Sequence, residues 1–163
     1  MITPQLSELL VKQIASELTA HMKYLAISTY FKRESLDKWA ELFHDQAMEE
    51  AQHAAKIMNF LLDVNLPFDM PALPGCSTKF DSAADAVKAA AASENKVSNE
   101  FRHMAKVAME NGDWTGFQFL QWFIEEQVEE EAKMAKLLDL VESGINLFQA
   151  EALLDEFVGE DED

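Results

Sequence analysis

Apolar residues recur every three or four positions through most of this chain, which is the spacing of one face of an α-helix. No stretch shows the strict alternation of apolar and polar residues that a half-buried β-strand requires. The pattern therefore predicts an all-α fold. The four long helices that it predicts are Leu6 to Phe31, Leu36 to about Val64, about Ser82 to Glu110, and Trp114 to about Glu142.

The ends of these runs carry the usual signals of helix termini. Thr3 followed by Pro4 predicts the start of the first helix, and Ser35 is predicted to cap the second. Asp113 is predicted to cap the fourth helix, and Ser143-Gly144 to end it. A short fifth helix is expected from Leu147 to Phe157.

One connection is much longer than the others. The proline-rich stretch from Asn65 to Asp81 can extend past about 50 Å, whereas a helix of 28 residues is about 42 Å long. It can therefore cross the whole bundle, so that helices two and three run parallel. We predict a four-helix bundle with one long crossover, forming a single domain over residues 1–163 with a mobile acidic tail from about residue 159.

Each long helix interrupts an apolar stripe with one carboxylate. Read at a step of seven residues, which stays near one face, Glu50 lies between Phe43 and Ile57. The same reading singles out one glutamate on every helix, and the four lie within about 6 Å of one another along the bundle axis. Buried carboxylates at one level are costly without cations. The four residues are Glu17, Glu50, Glu94 and Glu130.

A histidine joins this level and suggests the kind of cation. His53 follows Glu50 by three residues, so both point to one side of the second helix. Carboxylates with one imidazole suit iron or manganese, and the number of ligands suits two ions bridged by Glu50. The fourth helix carries Gln127 three residues before Glu130, where the usual di-iron bundle repeats Glu-x-x-His. The two metal positions should therefore differ.

Several neighbouring residues have two open interpretations. Glu49, Glu126 and Glu129 either hold a third cation or form a solvated acidic face. Tyr24 lies one heptad from Glu17, and Trp122 lies near the acidic run. Both are candidates for electron transfer, although packing is the commoner role of such residues. The remaining histidines, expected at the surface or in packing roles, are His21, His44 and His103.

The overall charge narrows the classes of partner. The chain has 163 residues, 48% of them hydrophobic, and a formal net charge of −17 at pH 7. Such a charge argues against nucleic acid or an anionic membrane as a partner. No apolar run approaches the length of a membrane span, and the N-terminus lacks a secretory pattern. With Cys76 as the single cysteine, we expect a cytoplasmic protein.

Taken together, these motifs resemble those of prokaryotic non-haem ferritins over residues 1 to about 158. The motifs that carry the resemblance are Glu17, Glu50-Ala-Gln-His53, Glu94 and Glu126-Gln-Val-Glu-Glu130. The resemblance implies a ferritin-like fold and a hollow 24-subunit shell that oxidises Fe²⁺ with dioxygen or peroxide and stores Fe³⁺ oxide. A smaller rubrerythrin-like di-iron enzyme without a cage is the alternative, and a plain acidic helical bundle that binds partners is a third hypothesis.

The resemblance also implies roles for individual residues. Tyr24 matches a tyrosine beside the iron centre, and Gln127 a hydrogen-bonding neighbour. Ala51 stands where bacterioferritins carry their haem-ligating methionine, so no haem is expected. The implied ligands are Glu17, Glu50 and His53 for a first iron, Glu50, Glu94 and Glu130 for a second, and Glu49, Glu126, Glu129 and Glu130 for a third.

Overall fold

Four long α-helices make up most of the computed structural model, which describes residues 1–159 of the chain. Their bounds agree with the predicted ones to within a few residues at each end. Apart from Gly159, the tail that we predict to be mobile lies outside the described residues. The helices are α1 (Pro4–Arg33), α2 (Asp37–Asp63), α3 (Ala83–Glu110) and α4 (Trp114–Glu142).

Two apolar clusters fix the direction of each helix. One contains the end of α1, the start of α2, the start of α3 and the end of α4, represented by Phe31, Phe43, Val87 and Leu137. The other contains the opposite ends, represented by Leu6, Ile57, Phe101 and Phe123. Helices α2 and α3 therefore run parallel, and α1 and α4 run the other way. The long crossover between residues 64 and 82, which contains neither helix nor strand, confirms the predicted topology.

The caps predicted at the starts of α1 and α4 are present. The Thr3 side chain accepts a hydrogen bond from the Leu6 backbone N–H at 3.3 Å, and Asp113 accepts one from Gly116 at 2.9 Å. Asp113 also accepts a 2.7 Å hydrogen bond from the Thr3 backbone N–H, which ties the start of α1 to that of α4. Ser82 caps α3. These bonds satisfy donors that a helix N-terminus leaves unpaired.

The prediction that Ser35 caps α2 is wrong. Ser35 has a positive φ of 61° and ends α1 instead. Its N–H bonds to the carbonyl of Lys32, and the N–H of Leu36 bonds to that of Phe31, which is the Schellman pattern of a helix C-terminus. With so short a link, Leu36 takes the cap position of α2 without a side-chain hydrogen bond.

The predicted fifth helix is broken into short pieces. Helix α5 (Leu147–Ala150) is followed by a 3₁₀ turn and by α6 (Leu154–Val158). Ala150 and Leu154 are buried in the first apolar cluster, and the Trp39 indole N–H donates to the Leu147 carbonyl at 3.1 Å. These contacts hold the segment over the start of α2, and the 3₁₀ turn lies between the two buried residues.

No helix in residues 1–159 is long and apolar enough to cross a membrane.

Candidate metal centre

A layer of buried polar side chains separates the two apolar clusters. The four glutamates that interrupt the apolar stripes are each at most 2% exposed, and His53 and Gln127 are each 3% exposed. They come from all four long helices, as the heptad reading predicts. Carboxyl groups buried this far from water must be protonated, accept hydrogen bonds or bind cations. The layer is therefore the natural place for charge-dependent chemistry in this bundle.

One half of the layer has the geometry of a cation site. One ligand atom from each of Glu17, Glu50 and His53 lies within 4.8 Å of the other two. The His53 Nδ1 atom is 3.3 Å from Glu50 Oε2 and 3.7 Å from Glu17 Oε2. These three atoms are buried and have no hydrogen-bond partner among the described residues. Two carboxylate oxygens and an imidazole nitrogen that converge in this way fit a hard or borderline divalent cation such as Fe²⁺.

The other half of the layer is occupied by hydrogen-bond donors of the protein itself. Tyr24 donates its hydroxyl proton to Glu94 Oε1, and Gln127 Nε2 donates to Glu94 Oε2 at 3.0 Å. Gln46 Nε2 donates to Glu130 Oε2 at 2.6 Å. The structure therefore does not bring Glu94 and Glu130 into the group of unpartnered ligand atoms. Gln127 Nε2 also donates to Ser98 Oγ at 3.0 Å.

Glu50 lies between the two halves. It faces His53 and Glu17 on one side and interacts electrostatically with Glu94 on the other. Its Oε1 atom also accepts a long hydrogen bond of 3.4 Å from Gln46 Nε2. This placement suits the bridging role that the sequence suggests.

The pKa values of Glu50, Glu94 and His53 are all raised, but burial is the cause only for the two carboxyl groups. Desolvation is the largest cause that raises the pKa of Glu50 to about 7, and the Glu17 carboxylate adds to it. Desolvation also raises the pKa of Glu94 to about 7, with the charge of Glu50 next in importance. Burial would lower the pKa of His53, but the carboxylates of Glu17 and Glu50 outweigh it and raise that pKa. Bound protons therefore reduce the repulsion among these carboxylates when no cation is bound.

The acidic residues proposed for a third cation lie at the edge of this layer. Glu49 and Glu126 are partly buried, and Glu129 is exposed. Burial raises the pKa of Glu126, and the charges of Glu129 and Glu49 contribute to the shift. Glu130 has a raised pKa for the same first reason, with a hydrogen bond to Glu49 among the smaller causes. The four carboxylates therefore lie close enough together for their charges to interact.

Four residues at the centre were not among the sequence candidates. Gln13 donates to Glu17 Oε1 at 2.9 Å, and Gln46 contacts both Glu50 and Glu130. Each glutamine precedes a site glutamate by four residues, and this spacing is the signal that could have found them. The other two are Ser98, which accepts a hydrogen bond from Gln127, and Lys133, which contacts Gln46.

The other candidates occupy less central places. Trp122 is 39% exposed, and its ring packs edge-on against His53 at 5.5 Å between centroids. His21 contacts the Ala47 carbonyl through Nδ1, whereas the residues that are exposed are His44, His103 and Cys76. None of these belongs to the convergent group.

The comparisons with a family model and with known protein sequences point to the same family. Residues 7–143 match the family model described as a ferritin-like domain. Ferritin BfrB from Mycobacterium tuberculosis is 38% identical over 144 residues, which cover 88% of this chain and 80% of that protein. A bacterial non-haem ferritin from Staphylococcus aureus is 33% identical over 132 residues, covering 81% and 80%.

Solved structures agree with the sequence relatives. A humanized archaeal ferritin superposes with a TM-score of 0.90 at 24% identity and covers 99% of this chain and 98% of its own, a likeness that shows the fold. An open-pore ferritin from Archaeoglobus fulgidus superposes with a TM-score of 0.86 at 25% identity, covering 94% and 97%. The predicted ferritin-like fold class is thereby confirmed. The chain belongs to the ferritin family, as a prokaryotic non-haem ferritin.

Proposed function

We propose that this protein is an iron-storage ferritin that oxidises Fe²⁺ at the buried polar layer and keeps the Fe³⁺ oxide inside a hollow shell of its own copies. Membership of the ferritin family supports iron storage. The observation that carries the oxidation step is the convergence of three unpartnered ligand atoms from Glu17, Glu50 and His53. The proposed reaction uses no haem.

The proposed binding of the substrate uses both halves of the layer. The first Fe²⁺ would be held by Glu17, Glu50 and His53. The second would be held by Glu50, Glu94 and Glu130, with Gln127 as a hydrogen-bonding neighbour. A third would use Glu49, Glu126 and Glu129 together with Glu130.

The residues of this chain contribute charge and proton release. Binding requires His53 and the protonated carboxylates to lose their protons, since only the deprotonated forms are ligands. Several carboxylates around each ion favour the higher charge of Fe³⁺, so they favour loss of one electron from each Fe²⁺ to dioxygen. The surrounding apolar clusters exclude water and keep these charges close to the ions.

The test of the oxidation step is Fe²⁺-dependent oxygen consumption by the purified protein. Glu50→Ala and His53→Ala should each slow it by roughly 100-fold or more, because each removes a direct ligand. Glu8→Ala, at an exposed position of α1, is the matched control and should leave the rate unchanged. Unchanged rates in all three variants would contradict the proposal.

The shell is a separate part of the proposal. The ferritin relatives and structures support a homo-oligomer. A shell of 24 subunits of 18.4 kDa would elute near about 440 kDa on a sizing column. A dimer would instead fit the rubrerythrin-like alternative. A cytoplasmic location and a single domain over the whole chain stay predictions.

A further inference from the structure

Lys133 lies deeper in the protein than a surface lysine normally does. It follows Glu129 by four residues on α4, and its side chain is only 14% exposed. Lysine usually carries its ammonium group out to water along the protein surface. Here the ammonium nitrogen lies 3.4 Å from Gln46 Oε1 and 4.0 Å from Glu49 Oε1. It is therefore held among acceptors at the edge of the polar layer.

The charge of this lysine acts on the proposed third cation group. Lys133 follows Glu130 by three residues and Glu129 by four, so the three side chains lie on the same side of α4. Its ammonium group also lies beside Glu49. Three of the four carboxylates of the group thus sense the same positive charge. A divalent cation held by these carboxylates would meet the ammonium group at short range and be repelled by it.

A cavity beside Lys133 offers the ammonium group another place. Lys133, Gln46 and Glu49 line one wall of this cavity, which has a volume of about 380 Å³. The remaining walls come from α2 and from the C-terminal segment that folds over it. They carry four more carboxylates, those of Glu41, Asp45, Glu151 and Asp155, and one further lysine, Lys38, whose ammonium group already pairs with Glu41 at 3.1 Å. A lysine side chain has the length and rotational freedom to turn toward these carboxylates.

We propose that Lys133 is a tethered counter-ion of the group Glu49, Glu126, Glu129 and Glu130, and that a divalent cation binding to this group displaces its ammonium group into the adjoining cavity. The inference rests on the proposed function, since it concerns the third cation position of the same centre. It makes that position the weakest of the three, because the incoming ion must replace a charge that is already in place. The third position therefore fills only after the two inner ones.

The test is an anaerobic calorimetric titration with Zn²⁺ as a redox-inactive probe. The wild-type protein should bind two ions tightly and a third more weakly. Lys133→Met removes the charge and keeps the length of the side chain, and it should tighten the third ion by roughly tenfold or more. Lys133→Arg should behave like the wild type. Lys136→Met, which removes an exposed charge one turn further along α4, is the matched control and should change nothing.

The outcomes separate this inference from the proposed function. A third ion whose affinity is unchanged or weaker in Lys133→Met, with two tight ions retained, overturns the role of Lys133 alone. Absence of any third ion in all variants does the same. Absence of the two tight ions in the wild type contradicts the proposed function as well. Lys133→Gln gives a second neutral variant if the methionine variant does not fold.

A crystal loaded with Zn²⁺ provides an independent readout. The Lys133 ammonium group should then lie in the cavity, beside Glu41, Asp45, Glu151 or Asp155. An ammonium group that still contacts Gln46 and Glu49 while a cation occupies the third position would overturn the proposal.

Discussion

The two halves of the polar layer are built from similar residues but are satisfied in different ways. On one side, ligand atoms of Glu17, Glu50 and His53 converge without hydrogen-bond partners. On the other side, Tyr24, Gln127 and Gln46 donate to Glu94 and Glu130. The first half offers three convergent ligand atoms to a cation, whereas the second half is a hydrogen-bond network.

This difference has an energetic meaning. A buried polar atom that makes no hydrogen bond costs about 1–3 kcal/mol. In the first half only the charge contacts of His53 with Glu17 and Glu50 offset this cost when no cation is bound. A cation bound there removes this cost, while a cation bound at Glu94 and Glu130 must displace existing donors. We therefore expect the first half to bind first and more tightly.

The largest predicted effect is a difference between single-ligand variants. His53→Ala should weaken the tightest Zn²⁺ position by roughly 100-fold or more, because it removes a direct ligand. Glu94→Ala should leave the affinity of that position almost unchanged and remove the second ion. Anaerobic calorimetry measures both affinities. Equal losses in the two variants would show that the halves are not distinct.

The next effect is a dependence of apoprotein stability on pH. The pKa of Glu50 and of Glu94 is about 7 in the folded protein and 4.5 for an ordinary glutamate. The folded state therefore holds more protons than the unfolded state between these values. Its free energy of unfolding should fall as the pH rises from about 4.5 to 7, by on the order of a few kcal/mol.

Urea unfolding of the metal-free protein across this range measures that slope. In the double variant Glu50→Gln/Glu94→Gln the slope should be flatter, because the neutral amides do not titrate. An identical slope in both proteins would contradict the assignment of the effect to the centre.

A smaller effect compares the two glutamines of the layer. Gln46→Leu leaves acceptors on both Glu50 and Glu130 without a donor, whereas Gln13→Leu affects only Glu17. Gln46→Leu should destabilise the metal-free protein by about 1–3 kcal/mol, and Gln13→Leu by less. Saturating Zn²⁺ should narrow the difference. The prediction fails if Gln13→Leu is the more damaging change in the metal-free state.

The smallest effect concerns Tyr24. Tyr24→Phe removes the hydroxyl that donates to Glu94 and keeps the ring that stacks on Phe43. We expect a loss of about 1 kcal/mol in the metal-free protein, because Gln127 still donates to the same carboxylate. Thermal unfolding measures it. A loss as large as that of Gln46→Leu would mean that Tyr24, rather than the amides, holds the second half in place.

The fold and the four glutamates were predictable from the sequence because they leave a periodic signal. A carboxylate such as Glu94 in an apolar stripe stands out at a heptad step, and the proline-rich crossover sets the direction of α3. The prediction for Ser35 is wrong because its residue type favours a cap, whereas the short link between α1 and α2 requires a positive φ there. The geometry of the connection overrides the preference of serine for a helix N-cap position.

The hydrogen-bond network was harder to predict. Glutamine is common on helices, so Gln46 carries little signal until α4 places Glu130 against it. Lys133 likewise reads as part of a charged helix face, and only the packing of α2 turns its ammonium group toward Glu49. Such contacts depend on how neighbouring helices are rotated, which the spacing within one helix does not determine.

The most direct test of the difference between the two halves is a crystal soaked anaerobically with increasing amounts of Fe²⁺. Anomalous scattering from iron would show the order in which the positions fill. Iron should appear first among Glu17, Glu50 and His53, and only at higher loading between Glu50, Glu94 and Glu130. Equal filling of the two positions at every loading, or iron first at Glu94 and Glu130, would contradict this order.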